Sequence, residues 1–493
     1  MISYESVLKA HSKTELELKS WYPLTQKRQA CYTLNAYLFT PGQLELNAER
    51  YGVERFFRDV KSHTRFSTAY IPLHRLIDPE CDVSPLFRIH KYVDQAVTPQ
   101  SLDEKRILYE LRTLANLYSA EMKGSFRLIK TKYQEDKTSG SVNKKTQRYL
   151  NDIERFLKSF RELHSLFIDP AISEKLRTAV RWCDEYISLS TDKMLYSLYG
   201  IYEQEKIHKH IGQIMQNEAE YRRSMNYPCV IDSTKGKEIE SVLYRENILK
   251  KWSQTVLYMT TEETGTNQKI GHVLAGVAAA AAMSFAVMAT FFANRMFASY
   301  SVPWALIIVV SYILKDRIKE ILRGILVRVL PRFIADKTEK LVDHAVGKTV
   351  GKTRSMVRFI SPDETPWDVR KVRNSGSNPF RSILPRENVI HYRKEIKLDA
   401  KALLKEHTRL EAITEIIRIK MDSIIQEMDA SRKYLRTWLK DGPEAVKGKR
   451  VYHLNLILAL SSGSPDSERI FRYRLIVTSQ GIERVETVSE DRP

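Results

Sequence analysis

Between Lys269 and Lys315 the only side chain with a fixed charge at neutral pH is Arg295. A hydrocarbon core about 30 Å thick takes roughly 20 apolar helical residues to cross. The run from 270 to 314 is long enough for two such crossings. It reads as two membrane-spanning helices, 270–293 and 297–314, joined by a tight turn at Asn294, Arg295 and Met296. A buried helix pair in a soluble core is the competing reading. It needs one wet face, and Gly271–Ala293 offers none.

Small residues suggest how the two spans meet. Gly271, Ala275, Ala278, Ala282 and Ala286 recur at steps of three and four, a face for close backbone approach in lipid. The second span, with Trp304, Ile307 and Ile308, is bulky enough to pack into that face. Neither span holds an acidic residue, which argues against an ion or proton path. Lys269 precedes the first span, and Lys315, Arg317, Lys319, Arg323 and Arg328 follow the second. Positive flanks stay on the cytoplasmic side, so both termini are expected there, at a bacterial inner membrane.

The formal net charge of +19 fits a protein held against an anionic leaflet. Nucleic acid is a less favoured partner for that charge. The four cysteines, Cys31, Cys81, Cys183 and Cys229, show no paired spacing and read as reduced cytosolic thiols. The first residues lack the apolar stretch of a secretory signal. The segment YLFTPGQLELNAERYGVERFFRDVKSHTRF, from Tyr37 to Phe66, is similar to the N-terminal part of uncharacterised bacterial membrane proteins. That resemblance is confined to this first region and implies no activity.

Around the apolar stretch the chain divides by pattern. Residues 1–95 read as a small α/β unit, with strands at 30–40 and 66–73 and a helix at 53–63. Residues 96–264 read as a helical bundle, with Ile107, Leu108, Leu111, Leu114 and Leu117 on one stripe. Residues 315–357 read as basic amphipathic helices and 358–385 as a linker. Residues 386–493 read as a separate α+β domain. In it a strand at 389–398 precedes a long helix over 401–439, a bundle helix or a short coiled coil. An antiparallel meander then follows, with strands at 450–460, 470–478 and 482–488. The expected fold is therefore a mainly α membrane protein. A two-helix transmembrane hairpin stands between a helix-rich N-terminal cytoplasmic region and a C-terminal α+β domain.

Chemical signals are few. Gly347–Ser355 holds GKT twice, but the phosphate-cradling loop needs a glycine five residues earlier, and Val346 or Val342 stands there. His208 and His210 are two apart, so they do not share one face of a helix. Asp363, Glu395 and Lys397 resemble the loose pattern of the PD-(D/E)xK nuclease superfamily. That resemblance implies a divalent metal held by carboxylates and a lysine beside the attacking water. The βαβ context of that family is missing. Neither a cofactor nor a metal is expected. The favoured reading is a non-enzymatic, membrane-anchored scaffold or sensor acting through lipid and protein contacts or self-association. A tethered effector enzyme or an oligomeric pore are the alternatives.

Overall fold

The structure is a computed structural model. It describes residues 5–24, 29–136, 140–202, 205–229, 236–264, 266–298, 301–329, 335–343, 347–375, 386–439, 442–462 and 468–488. The chain opens with β1 (Glu5–Ala10), β2 (Glu15–Pro23), β3 (Ala30–Pro41), α1 (Gly52–Asp59) and β4 (Val60–Thr68). Short helices α2 (Leu73–Ile77) and α3 (Pro85–Asp94) lead to long ones, α4 (Glu104–Glu135), α5 (Gly140–Leu166), α6 (Glu174–Tyr199), α7 (Glu205–Ser224) and α8 (Gly236–Gln254). β5 (Met259–Glu263) precedes α9 (Thr266–Met296) and α10 (Val302–Val329). β6 (Lys337–Asp343), β7 (Lys348–Ile360), α11 (Trp367–Asn374), β8 (Glu387–Leu398), α12 (Ala400–Glu406) and β9 (Leu410–Lys420) follow. α13 (Asp422–Ile425), β10 (Arg432–Leu439), β11 (Gly442–Lys449), β12 (Tyr452–Ser461), β13 (Arg469–Thr478) and β14 (Gly481–Thr487) complete the described chain.

Two antiparallel sheets face each other. The larger has eight strands in the order β14-β13-β12-β3-β8-β7-β6-β5, and the smaller four in the order β1-β2-β9-β4. Strand alternation puts every second side chain between them. Tyr32 and Leu34 of β3, Tyr392 and Ile396 of β8, and Leu456 and Leu458 of β12 meet Leu16, Leu18, Phe66, Ile413 and Ile417 of the smaller sheet. The opposite face of the larger sheet buries Tyr37, Phe39, Val389 and Ile457 under Val369 and Val372 of α11. A separate core fills the helical bundle, with Leu111, Leu114, Tyr118, Phe156, Phe160 and Ile187 at its centre. Asp103 starts α4 by accepting from the Arg106 amide at 3.2 Å, and Ser173 caps α6 in the same way on Leu176.

These findings overturn the expected mainly α membrane protein with a two-helix transmembrane hairpin. The molecule is a mixed α/β fold with large sheets, and its N-terminal and C-terminal segments build them together. β3 lies between β8 and β12, and β9 between β2 and β4. Among the described residues one helix, Ala275–Met296, is long and apolar enough to cross a membrane. The second expected span fails because its apolar part, Val302–Leu314, covers only about 20 Å of helix. α10 then runs on without a break through Lys315, Asp316 and Arg317 to Val329.

Other expectations are corrected for local reasons. The helix expected over 401–439 is instead α12, β9, α13 and β10. The isoleucines of β9 have helical spacing, yet they are β-branched and sit in a strand with neighbours on both sides. Residues 315–357, expected to be helical throughout, are helical to Val329 and then contribute β6 and most of β7. The helix expected over 53–63 stops at Asp59, where β4 begins. The stretch 358–385 holds the end of β7 and α11, while 376–385 lies outside the described residues. The final meander is present as β12, β13 and β14, but its inner face is covered by the smaller sheet rather than by a helix.

Candidate functional site

The helices α9 and α10 pack against each other, and α9 also meets β6 of the body. β5 ends at Glu263 and β6 begins at Lys337, and these strands pair, Glu263 opposite Glu339. Whatever path α9 takes outward, α10 must therefore return to the side from which α9 left. Ala278, Ala282 and Ala293 are buried, with Ala275 and Ala286 half-buried, and these mark the side of α9 against its partner. α10 answers with Trp304, Ile307, Ile308, Ser311, Lys315, Ile318 and Leu322 on its less exposed stripe. Trp304 donates its indole N–H to the Asn294 side-chain oxygen at 2.6 Å across the turn.

The hairpin has two unlike halves. Its outer half carries Met283, Phe285, Met288, Phe291, Phe292 and Met296 on α9 and Val302, Leu306, Val309, Tyr312 and Ile313 on α10, all exposed. Phe291 is 71% exposed and Val302 79%. Its inner half carries exposed Val273 and Val277 among the alanines of α9, and on α10 the charges Lys315, Asp316, Arg317, Lys319, Glu320 and Arg323 with exposed Ile321 and Ile325 between and beyond them. Alanine favours a helix but removes little apolar area from water. The hydropathy of α9 is thus spread over its length, while its phenylalanines and methionines sit in the half toward the turn. Lys315 lies over the Tyr312 ring at 3.6 Å, and Arg317 approaches Glu320 at 3.4 Å. The side chains of Lys269, Gly271 and Arg328 lie outside the described residues.

The residues singled out for metal chemistry are not brought together. Glu395 and Lys397 share the outer face of β8, and Glu395 accepts from Arg393 at 2.5 Å. Asp363 sits in an exposed turn beyond the Ile360–Val389 rung, six residues along β8 from Glu395 and so about 20 Å away. Among the described residues no group of three His, Cys, Asp or Glu is placed to hold a metal. His208 stacks on Tyr199, whereas His210 faces Gln147 and Glu154. The repeated GKT lies in β7 except for Gly347, which stands just before the strand at φ +70°.

Three interior polar clusters were not anticipated. Lys394 of β8 and Glu415 of β9 form an ion pair buried between the sheets, and Thr64 donates to Glu415 at 2.6 Å. Burial disfavours the charged lysine, but Glu415 outweighs it and holds the Lys394 pKa above its ordinary value. At the junction of bundle and sheets, His407 contacts Asp343 and lies 2.7 Å from the Tyr109 hydroxyl. Inside the bundle, Asp184 accepts from Tyr221 at 2.8 Å and Tyr227 at 2.7 Å, while Glu218 accepts from Arg161 at 2.8 Å and Ser188 at 2.7 Å. Each cluster joins elements distant in sequence, so no local motif announces it. Their members face one another rather than an opening, an arrangement that ties elements together.

No family model, no curated protein and no solved structure matches this chain. A functional reading therefore rests on the hairpin and its chemistry.

Proposed function

We propose that this protein is a membrane-docked scaffold or sensor whose α9–α10 hairpin dips into an anionic bilayer from one side. The observation that carries the reading is the outer half of the hairpin, where large apolar side chains are exposed on both helices and Arg295 is the one charged residue among those described. A partner protein covers one face of a helix pair and leaves the others in water, whereas lipid covers all of them. The depth follows from α10: with Lys315 and Arg317 kept at headgroup level, about 20 Å of helix is immersed. The turn then stops roughly 10 Å short of the far headgroups, a gap that the long Arg295 stem narrows. Lys319 and Arg323 add attraction to an anionic surface, offset in part by Asp316 and Glu320. The sheets and the helical bundle stand on that surface as the part that meets protein partners.

Co-flotation of the full chain with phosphatidylcholine–phosphatidylglycerol vesicles tests this. Binding is expected, and Phe291→Asp with Phe292→Asp abolishes it. Met296→Cys stays unreactive toward a membrane-impermeant maleimide trapped inside the vesicles. Undiminished flotation of the double variant would refute the docking, and labelling from inside would refute the depth.

A further inference from the structure

Strands β10 and β11 form a two-stranded sheet of their own, and nearly every residue in it is exposed. Its register pairs Arg432 with Lys449, Tyr434 with Lys447, Arg436 with Ala445 and Trp438 with Pro443. Residues directly opposite share a face, so one side carries four cations, Tyr434 and Trp438, and no acid. The other side carries Leu435, Val446, Leu439 and Thr437, with Lys433 and Glu444. Along the ribbon the chemistry also changes. Trp438, Leu439 and Pro443 stand nearest the turn, where Lys440 and Asp441 follow in the sequence; Glu444 and Arg436 come next, Leu435 and Val446 midway, and Arg432, Lys433, Lys447 and Lys449 toward the base. Trp438 is 77% and Leu435 65% exposed. At the base Lys449 reaches Glu483 at 2.7 Å.

An isolated ribbon with apolar side chains on both faces has no reason to persist in water. A nucleic acid would cover the cationic, aromatic face and leave Leu435, Leu439 and Val446 wet. Immersion of the tip in a membrane interface covers both faces at once, with indole at headgroup level and cations above it. Large exposed apolar side chains farther out and cations toward the base are common to the ribbon and the α9–α10 hairpin. Strand polarity also puts the roots of the two projections at one end of the larger sheet. Through the antiparallel chain β12, β3, β8, β7, β6 and β5, the start of β12 lies at the same end of the sheet as the end of β5 and the start of β6.

We infer that the β10–β11 ribbon is a second lipid-binding element, seating Trp438 and Leu439 among the anionic headgroups of the leaflet that the helical hairpin enters. This rests on the membrane reading above, so the test separates the two. The full chain is titrated with vesicles of phosphatidylcholine alone and of phosphatidylcholine with phosphatidylglycerol, and with labelled single-stranded and duplex DNA and RNA. Three variants are compared: Arg432→Gln/Arg436→Gln/Lys447→Gln, Trp438→Ser/Leu439→Ser, and the hairpin variant Phe291→Ser/Phe292→Ser. The ribbon makes few packing contacts, so wild-type melting is expected for its variants. Affinity for the anionic vesicles should fall about fivefold for each cation removed. The Trp438→Ser/Leu439→Ser variant weakens binding to both vesicle types.

Wild-type vesicle affinity in both ribbon variants overturns the inference while loss in the hairpin variant upholds the hairpin. Loss in the ribbon variants with none in the hairpin variant does the reverse. If the ribbon variants lose only nucleic-acid binding, the partner is nucleic acid and the inference falls.

Discussion

Helices α4 and α9 are nearly equal in length, 32 and 31 residues, and opposite in use. α4 turns Ile107, Leu111, Leu114, Tyr118 and Met122 into the bundle core, buries the carboxyls of Glu110 and Glu121 beside them, and keeps its lysines outside. α9 hides little more than alanines against α10 and leaves its phenylalanines and methionines outside. The large apolar side chains of α4 are satisfied within the chain, and those of α9 are not. A helix of the first kind reports on stability and one of the second kind on environment.

Truncating a ring in the bundle should cost most. Phe156 is fully buried and stacks on Tyr118 at 4.5 Å, so Phe156→Ala is expected to remove about 3–5 kcal/mol of stability in urea unfolding. A loss below about 1 kcal/mol would mean that the bundle core is not packed as described. A smaller effect, dependent on pH, comes from Glu121 of α4. Burial pushes its carboxyl up to about 7, against hydrogen bonds from Ser125 at 2.7 Å and Tyr70 at 3.3 Å. The folded chain therefore holds this proton more tightly than the unfolded one. The contribution of Glu121 to stability is greatest below the ordinary value of 4.5 and declines as pH rises toward 7. Glu121→Gln should abolish that decline, worth up to about 3 kcal/mol, seen as a difference between the two pH–stability curves. Parallel curves would remove the assignment.

The smallest effect sharpens the contrast. Phe291→Ala in α9 should change stability in the absence of lipid by less than about 0.5 kcal/mol, because the ring is exposed. A cost comparable to that of Phe156→Ala would show that α9 has a protein partner and would break the comparison.

Much of the helical half was legible because helices carry their pattern locally. The stripe over Ile107–Leu117 and the apolar run over 270–314 needed no knowledge of distant residues. The continuation of α10 past Lys315 was legible as well, because Ile318 and Leu322 extend its inner stripe beyond the apolar part, whereas β6 and β7 beyond it were not. The strands fared worse. Ile413, Ile416 and Ile417 satisfy a helical spacing as well as a buried strand, and only β2 and β4, from the far end of the chain, settle which. The β10–β11 ribbon was lost in the same misreading, although Gly442 and the alternation of Tyr434, Arg436 and Trp438 carried a turn and strand signal.

By itself the sequence determined that the middle of this chain is short of charge and helical, that the bundle helices are amphipathic, and that the last segment alternates into a meander. These follow from side-chain chemistry along a single element. The tertiary structure decided that the two ends of the chain share one pair of sheets, that Lys394 meets Glu415 between them, and that α9 and α10 spring from paired strands at one edge. β3 pairs with β8 and β12, and Thr64 meets Glu415, across hundreds of positions, while Lys394 and Glu415, only 21 apart, stand on strands of different sheets, so no local pattern encodes them. Only the closed backbone brings them within reach.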